Sequence, residues 1–289
     1  MNNIPQLHHK KLENLFTERT LSNEQLEEIL SYEKVTLTKD LKLIIQFCDN
    51  ELDEIDDDIS YNLLIYTLFL LKENEREGQL DIILDVLKWS EDKINYWLGD
   101  LFTQYYWNLV CHFGHNRIET LVGFLKQDKL DTFSKEQVAL ALYQIYLKNT
   151  EIQNKISRCW TELLEFYNAI PEDSENIDHT YLAFFVSYIY QPDDYQKSLI
   201  KTLYEKGYID FSVNGDYDDL FEFIEEEKEI CTVFELNNEL IYFEKRNQSD
   251  FNSKLFEEFK KIKDNGIIVL NDKKVNRNDP CPCGSGKKI

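Results

Sequence analysis

The feature that most restricts the fold is the segment Tyr61–Lys72, where Leu63, Leu64, Ile65, Leu68, Phe69, Leu70 and Leu71 leave almost no polar side. Its length and lack of turn residues make it a helix, and its all-round apolarity means neighbours must cover both flanks. Segments of similar texture follow in pairs. Glu77–Trp89 carries Leu80, Ile83, Leu84 and Leu87, and a break at Ser90-Glu91-Asp92 leads to Ile94, Trp97 and Leu98. Gly99-Asp100 opens Leu101–Phe113, and further helices are expected over Ile118–Leu125, Lys135–Leu147, Ile152–Phe166, Tyr181–Tyr190 and Tyr195–Lys206.

Local signals agree with helices. Ser22-Asn23-Glu24-Gln25 and Ser134-Lys135-Glu136-Gln137 have the capping-box spacing, and Gly207 suits a left-handed helix end. Nine glycines and five prolines among 289 residues are too few for the turns of a β-sandwich or barrel. Helices of roughly 12–16 residues, paired about every 35–45 residues, predict an all-α chain built as a HEAT-like α-solenoid. A compact helical bundle is the competing arrangement.

The texture changes near Asp210. Tyr217–Ile224 suits a short helix before Glu225-Glu226-Glu227-Lys228-Glu229, whereas Thr232–Phe243 mixes strand-formers with Leu236 and Leu240 at helical spacing. Phe251–Ile262 has an amphipathic pattern, and the chain is polar from Asn271. The expected organisation is therefore a helical-repeat domain over 1–210, a helical or mixed extension over 211–270, and a tail over 271–289.

Fifty-four acidic against 32 basic residues give a formal charge of -22. Such a field disfavours direct nucleic-acid or anionic-membrane binding by the body and draws basic partners. No apolar run reaches the ~20 residues of a membrane span, and Met1–Pro5 lacks the pattern of a secretory leader. Cys48, Cys111, Cys159 and Cys231 are widely spaced in apolar segments and read as buried, reduced thiols, so a cytoplasmic protein is expected.

The most specific motif is Arg277-Asn278-Asp279-Pro280-Cys281-Pro282-Cys283-Gly284-Ser285-Gly286-Lys287-Lys288. It resembles the first half of the SEC-C zinc-binding motif, in which a Cys-x-Cys pair precedes a Cys-Cys or Cys-His pair. The resemblance implies Cys281 and Cys283 as zinc ligands. The sequence ends at Ile289, before a second pair, and two thiolates do not close a tetrahedral zinc site. The body, through Tyr66–Leu71 and the turn Trp97-Leu98-Gly99-Asp100, resembles an uncharacterised bacterial family of HEAT-like helical-repeat proteins whose members often carry such a tail. That resemblance implies a fold and no reaction; SEC-C tails imply contacts with chaperones or the ribosome.

Other chemistry is sparse. Cys111-His112-Phe113-Gly114-His115 places soft ligands together, but no second cluster answers it, and adjacent helical residues point about 100° apart. His179 reads as a cap residue and His8-His9 as part of a mobile terminus. Tyr105-Tyr106-Trp107 and Tyr188-Ile189-Tyr190 are core candidates that could also anchor a partner. The expected function is a non-catalytic interaction protein that binds a protein partner, with the tail as a second docking element. The alternatives are an acidic nucleic-acid mimic that captures a basic protein, and an enzyme with a site near Asp100, Cys111 and His112.

Overall fold

The structure, a computed structural model, describes residues 4–50, 59–74, 78–171, 174, 177–222 and 231–246. Among these the regular secondary structure is helical, with no strand. The helices are α1 (Asn23–Leu30), α2 (Lys34–Cys48), α3 (Leu63–Glu73), α4 (Leu80–Val86), α5 (Glu91–Trp97), α6 (Asp100–Gly114), α7 (Ile118–Leu125), α8 (Thr132–Lys148), α9 (Gln153–Asn168), α10 (His179–Ser187), α11 (Asp194–Glu205) and α12 (Phe211–Asn214). Residues 233–246 are also helical, which resolves the ambiguous Thr232–Phe243 segment against a strand. The chain divides into two compact units, Met1–Asn237 and Asn238–Ile289; of the second, residues 238–246 are described.

Within the first unit, one succession of neighbours runs α2, α3, α6, α8, α10, α12, and another runs α7, α9, α11. The first row contains the two helices covered most completely, α3 and α8. Every residue of α3 from Leu63 to Lys72 is buried, and α8 is buried from Val138 to Ile145 on all sides. The second row is amphipathic: α9 buries Ile156, Trp160, Leu163, Leu164 and Tyr167 at helical spacing, and α11 buries Ile200, Leu203 and Tyr204.

Three aspartates align the first row. Asp131 caps α8, Asp178 caps α10 and Asp210 caps α12, each accepting backbone N–H groups of its helix's first turn. Thr132 Oγ1, at the start of α8, donates to Asp178 Oδ2 at 2.9 Å; Thr180 Oγ1, at the start of α10, donates to Asp210 Oδ2 at 3.1 Å. The same Asp–Thr device is thus used twice, holding successive helix starts together. The opposite, C-terminal ends are satisfied by aromatic donors: Trp97 Nε1 reaches the carbonyl of Cys48, Tyr167 Oη that of Leu125 and Tyr208 Oη that of Ile170, at 2.7–2.9 Å.

Several local expectations change in the tertiary context. The Ser22–Gln25 capping box forms. Ser134 does not cap: α8 starts two residues before it, on Asp131, and Ser134 is buried within the first turn. Gly207 has φ 70° after α11, as expected. Gly114 ends α6 for a different reason, since a Cβ there would lie 2.8 Å from Leu121 Cδ1, and only glycine lets α7 approach. His8 and His9 are fixed rather than mobile. Their backbone N–H groups and Nδ1 atoms all lie 2.8–3.0 Å from the carboxylate of fully buried Asp40. An ionised carboxylate only accepts, so both rings carry their proton on Nδ1.

A candidate interaction cleft

The residues singled out for chemistry are not brought together. Asp100 opens α6 in an exposed position, and Cys111 lies eleven residues further on, about 16 Å along the axis at ~1.5 Å per residue. Cys111 is buried, and burial pushes its thiol up to about 11, away from a reactive thiolate. His112 packs edge-on against Phe113 with ring centres 4.7 Å apart, and His115 Nδ1 contacts the carbonyl of His112 at 2.7 Å. Asp178, not His179, caps α10. Among the described residues no group of three or more His, Cys, Asp and Glu could hold a metal ion, and no helix is long and apolar enough to cross a membrane. Cys281 and Cys283, the amphipathic Phe251–Ile262 segment and the run Glu225–Glu229 lie outside the described residues.

The structure instead assembles an aromatic cleft of about 460 Å³, lined by Tyr143 of α8, Ile189, Tyr190 and Pro192 beyond α10, Lys197 of α11, and Phe221. It exists because α10 stops early. Pro192 cannot continue a helix and disfavours helical geometry at Gln191, which adopts φ 47°. That turn carries Tyr190 out of the helical path and leaves it 38% exposed, whereas Tyr188 and Ile189 stay buried. Asp193 then starts α11 with a capping box, bonding Gln196 N at 2.8 Å.

Behind the cleft the rings form a continuous ladder. Tyr188 stacks on Tyr143 at 6.0 Å and 19°, Tyr190 sits 6.4 Å from Tyr143 and 5.9 Å from Tyr146, and Tyr146 lies 4.8 Å from Trp160. Tyr188 Oη is tied to Glu136 Oε1 at 2.8 Å, fixing one end. Burial, then the neighbouring Tyr190, raises the Tyr146 phenol above its ordinary value. On the far wall Phe221, 40% exposed, packs edge-on against Tyr217 at 5.2 Å.

Acidic residues flank the cleft-lining segments in the chain. Exposed Asp193 and Asp194 begin α11, and exposed Asp216, Asp218 and Asp219 surround Tyr217 on the chain leading to Phe221. The one cation in the lining, Lys197, stands 5.9 Å from the Phe221 ring, a cation over an aromatic face. Exposed aromatic faces suit guanidinium or ammonium groups on a polypeptide.

Of the two aromatic runs in the sequence, Tyr105-Tyr106-Trp107 is structural at Tyr106 and Trp107, which are buried, with Tyr106 Oη bonded to the Ile83 carbonyl at 2.8 Å. Tyr188-Ile189-Tyr190 supplies the cleft. Lys197 and Phe221 carried no distinguishing signal in sequence; Gln191-Pro192, a helix stop beside tyrosines, was the available pointer.

No curated protein and no solved structure matches this chain. The SEC-C motif matches residues 277–288 and takes in Cys281 and Cys283. It is a zinc-binding motif, but the two thiols within the match are half of a tetrahedral donor set, so these residues by themselves do not fit a closed zinc site. A second match, to the family described as "Protein of unknown function (DUF1186)", runs over residues 8–247, and on that extent the chain, helical among its described residues, belongs to the DUF1186 family and carries a SEC-C motif behind its body.

Proposed function

We propose that this protein is a non-catalytic interaction protein whose helical body binds a basic segment of a protein partner, with the SEC-C tail as a second docking element. The observation that carries this reading is the cleft: an exposed tyrosine and phenylalanine beside a ladder of packed rings, with exposed Asp193 and Asp194 following Pro192 in the chain and exposed Asp216, Asp218 and Asp219 preceding Phe221. Arginine is the best fit, because its weakly hydrated plane stacks on tyrosine while its N–H groups meet carboxylates. The overall charge of -22 supports the same class of partner by steering.

Two further features support a repeat scaffold. The helices form two rows, and the Asp–Thr pairing recurs between α8 and α10 and between α10 and α12. On this reading the body is a HEAT-like array. Free, buried Cys48, Cys111 and Cys159 accord with a cytoplasmic setting, where chaperones or ribosomes supply basic, exposed segments. Zinc would be held at Cys281 and Cys283 with two donors from elsewhere.

The test is anisotropy with a fluorescent arginine-rich peptide and a glutamate-rich control. Binding of the first alone, weakened at least tenfold by Tyr190→Ala with Phe221→Ala and reduced by salt, is the expected result. Equal binding of both peptides, or insensitivity to the double substitution, sinks the cleft as the site. The nucleic-acid-mimic alternative predicts strong salt dependence but indifference to those two rings.

A further inference from the structure

Helix α3 is buried, but its polar groups are engaged by a segment far away in sequence. Nearly all of this helix is apolar, yet Tyr66, Phe69, Lys72 and Glu73 fall at i, i+3, i+6 and i+7 along one side and include most of its polar groups. That side meets residues 231–237, more than 150 positions later in sequence. Val233, Leu236 and Asn237 are fully buried there. Their spacing is the i, i+3, i+4 stripe of an amphipathic helix, the segment 233–246 being helical.

The contacts between the two are a polar latch. Lys72 Nζ donates to the carbonyl of Cys231, just ahead of the helix, and lies 3.6 Å from Glu73 Oε1. Tyr66 Oη donates to Asn237 Oδ1 and accepts from Leu21 N at 3.3 Å. Asn237 Nδ2 reaches Asn23 Oδ1, also at 3.3 Å, so residues 21–23 form a second wall. A buried ammonium adds little net stability, because its desolvation offsets its attraction; what such groups define is register. By contrast, α6 and α8, which are neighbours, bury mostly apolar side chains, with the bond from Trp107 N to Gln137 Oε1 at 3.1 Å between them.

We infer that the Tyr66–Phe69–Lys72 side of α3, walled by residues 21–23, is a helix-docking site that residues 231–237 hold closed from within the same chain. Its ligand in trans is an amphipathic helix with two aliphatic residues three apart, an asparagine directly after the second, and a free carbonyl ahead of its first turn. Asn237 is the register residue, since its amide both accepts from Tyr66 Oη and donates to Asn23 Oδ1. This site is separate from the aromatic cleft and stands or falls without it.

Two measurements on the full chain test it. In hydrogen exchange, amides of 235–237 should open at least tenfold faster than those of 138–145 in α8, through an opening that leaves α8 closed. Identical rates at both places would make 231–237 part of the global core and overturn the proposal. In the second, Val233→Asp with Leu236→Asp alters only the strap. A labelled synthetic peptide of residues 231–246 should bind this variant at least tenfold more tightly than the wild-type chain, whose own strap competes at high effective concentration. A peptide with Asn237→Leu should bind neither. Equal binding to both chains, binding to neither, or loss of the α8 protection in the variant would each refute it.

Discussion

Helices α8 and α11 are both long and both follow an aspartate cap, yet they are built on different principles. Eleven of the seventeen positions of α8 could tolerate little change, because residues from Ser134 to Ile145 are buried almost without interruption, including Gln137 and Gln144. α11 buries one stripe, Gln196, Ile200, Leu203 and Tyr204, and turns Tyr195, Lys197 and Ser198 outward. A helix covered on all sides depends on packing, and its stability is spread over many contacts. A helix covered on one side depends more on its cap and on individual cross-links such as Gln196 Nε2 to the Ser157 carbonyl at 2.9 Å. The cleft lies where these two kinds of helix meet.

The contrast predicts a graded series. The largest loss should come from Leu142→Ala in α8, about 2–5 kcal/mol, since a cavity there has neighbours on every side; urea melts measure it, and a loss below 1 kcal/mol would show that α8 can collapse locally. Next is the Asp40 node, where Asp40→Asn should cost about 1–3 kcal/mol at pH 7. Burial pushes the Asp40 carboxyl up, but the bonds from His8 and His9 outweigh it and hold it below the usual carboxylate range. A depressed folded pKa contributes stability that is complete above about pH 4–5 and is lost as pH falls through the folded value. The asparagine variant should therefore lose the part of the acid-unfolding slope below pH 4 that belongs to Asp40.

Smaller effects sharpen the comparison. Asp193→Ala should lower stability by about 1 kcal/mol through loss of the α11 cap. Asp178→Ala should cost more than Asp193→Ala, because Asp178 also receives Thr132 Oγ1 from the neighbouring helix. If the two aspartates prove equal in thermal melts, the Asp–Thr ladder contributes nothing beyond capping. Gln144, fully buried with neither side-chain polar atom bonded, is the place where α8 should gain: Gln144→Met should raise the melting temperature by a few degrees. Last, Lys155→Ala, which removes the exposed pair with Glu119 between α7 and α9, should leave the melting curve unchanged.

Much of the fold was legible in the residues themselves. Ile118–Leu125 carries its own apolar stripe and coincides with α7, and the boundaries of α6, α9 and α11 fall within two residues of those expected from periodicity. Ser134 misled because a capping-box spacing exists wherever Ser and Gln stand three apart, whereas the cap forms at whichever residue the chain can leave extended, here Asp131. His8-His9 looked like loose terminal residues because they are polar and run straight into Lys10 and Lys11. Their anchor, Asp40, lies 31 or 32 positions away and resembles any other acidic residue in so acidic a chain.

The candidate cleft divides in the same way. Tyr188-Ile189-Tyr190 is legible as an aromatic group that could be core or anchor a partner, but the helix expected through Tyr190 stops at Ser187, and the depth of the cleft comes from Lys197 and Phe221, which belong to other elements. What the sequence by itself determined is the class of structure and its lineage: helical periodicity, scarcity of turn residues, an acidic surface and the Cys281–Cys283 tail. These depend on neighbours within a turn or two, or on composition, and need no folding to be read. Only the tertiary structure decided which tyrosine stays exposed, which aspartate is buried, and that residues 231–237 return to α3. Each of those depends on contacts between residues far apart in sequence, whose pairing is set by the packing of whole helices.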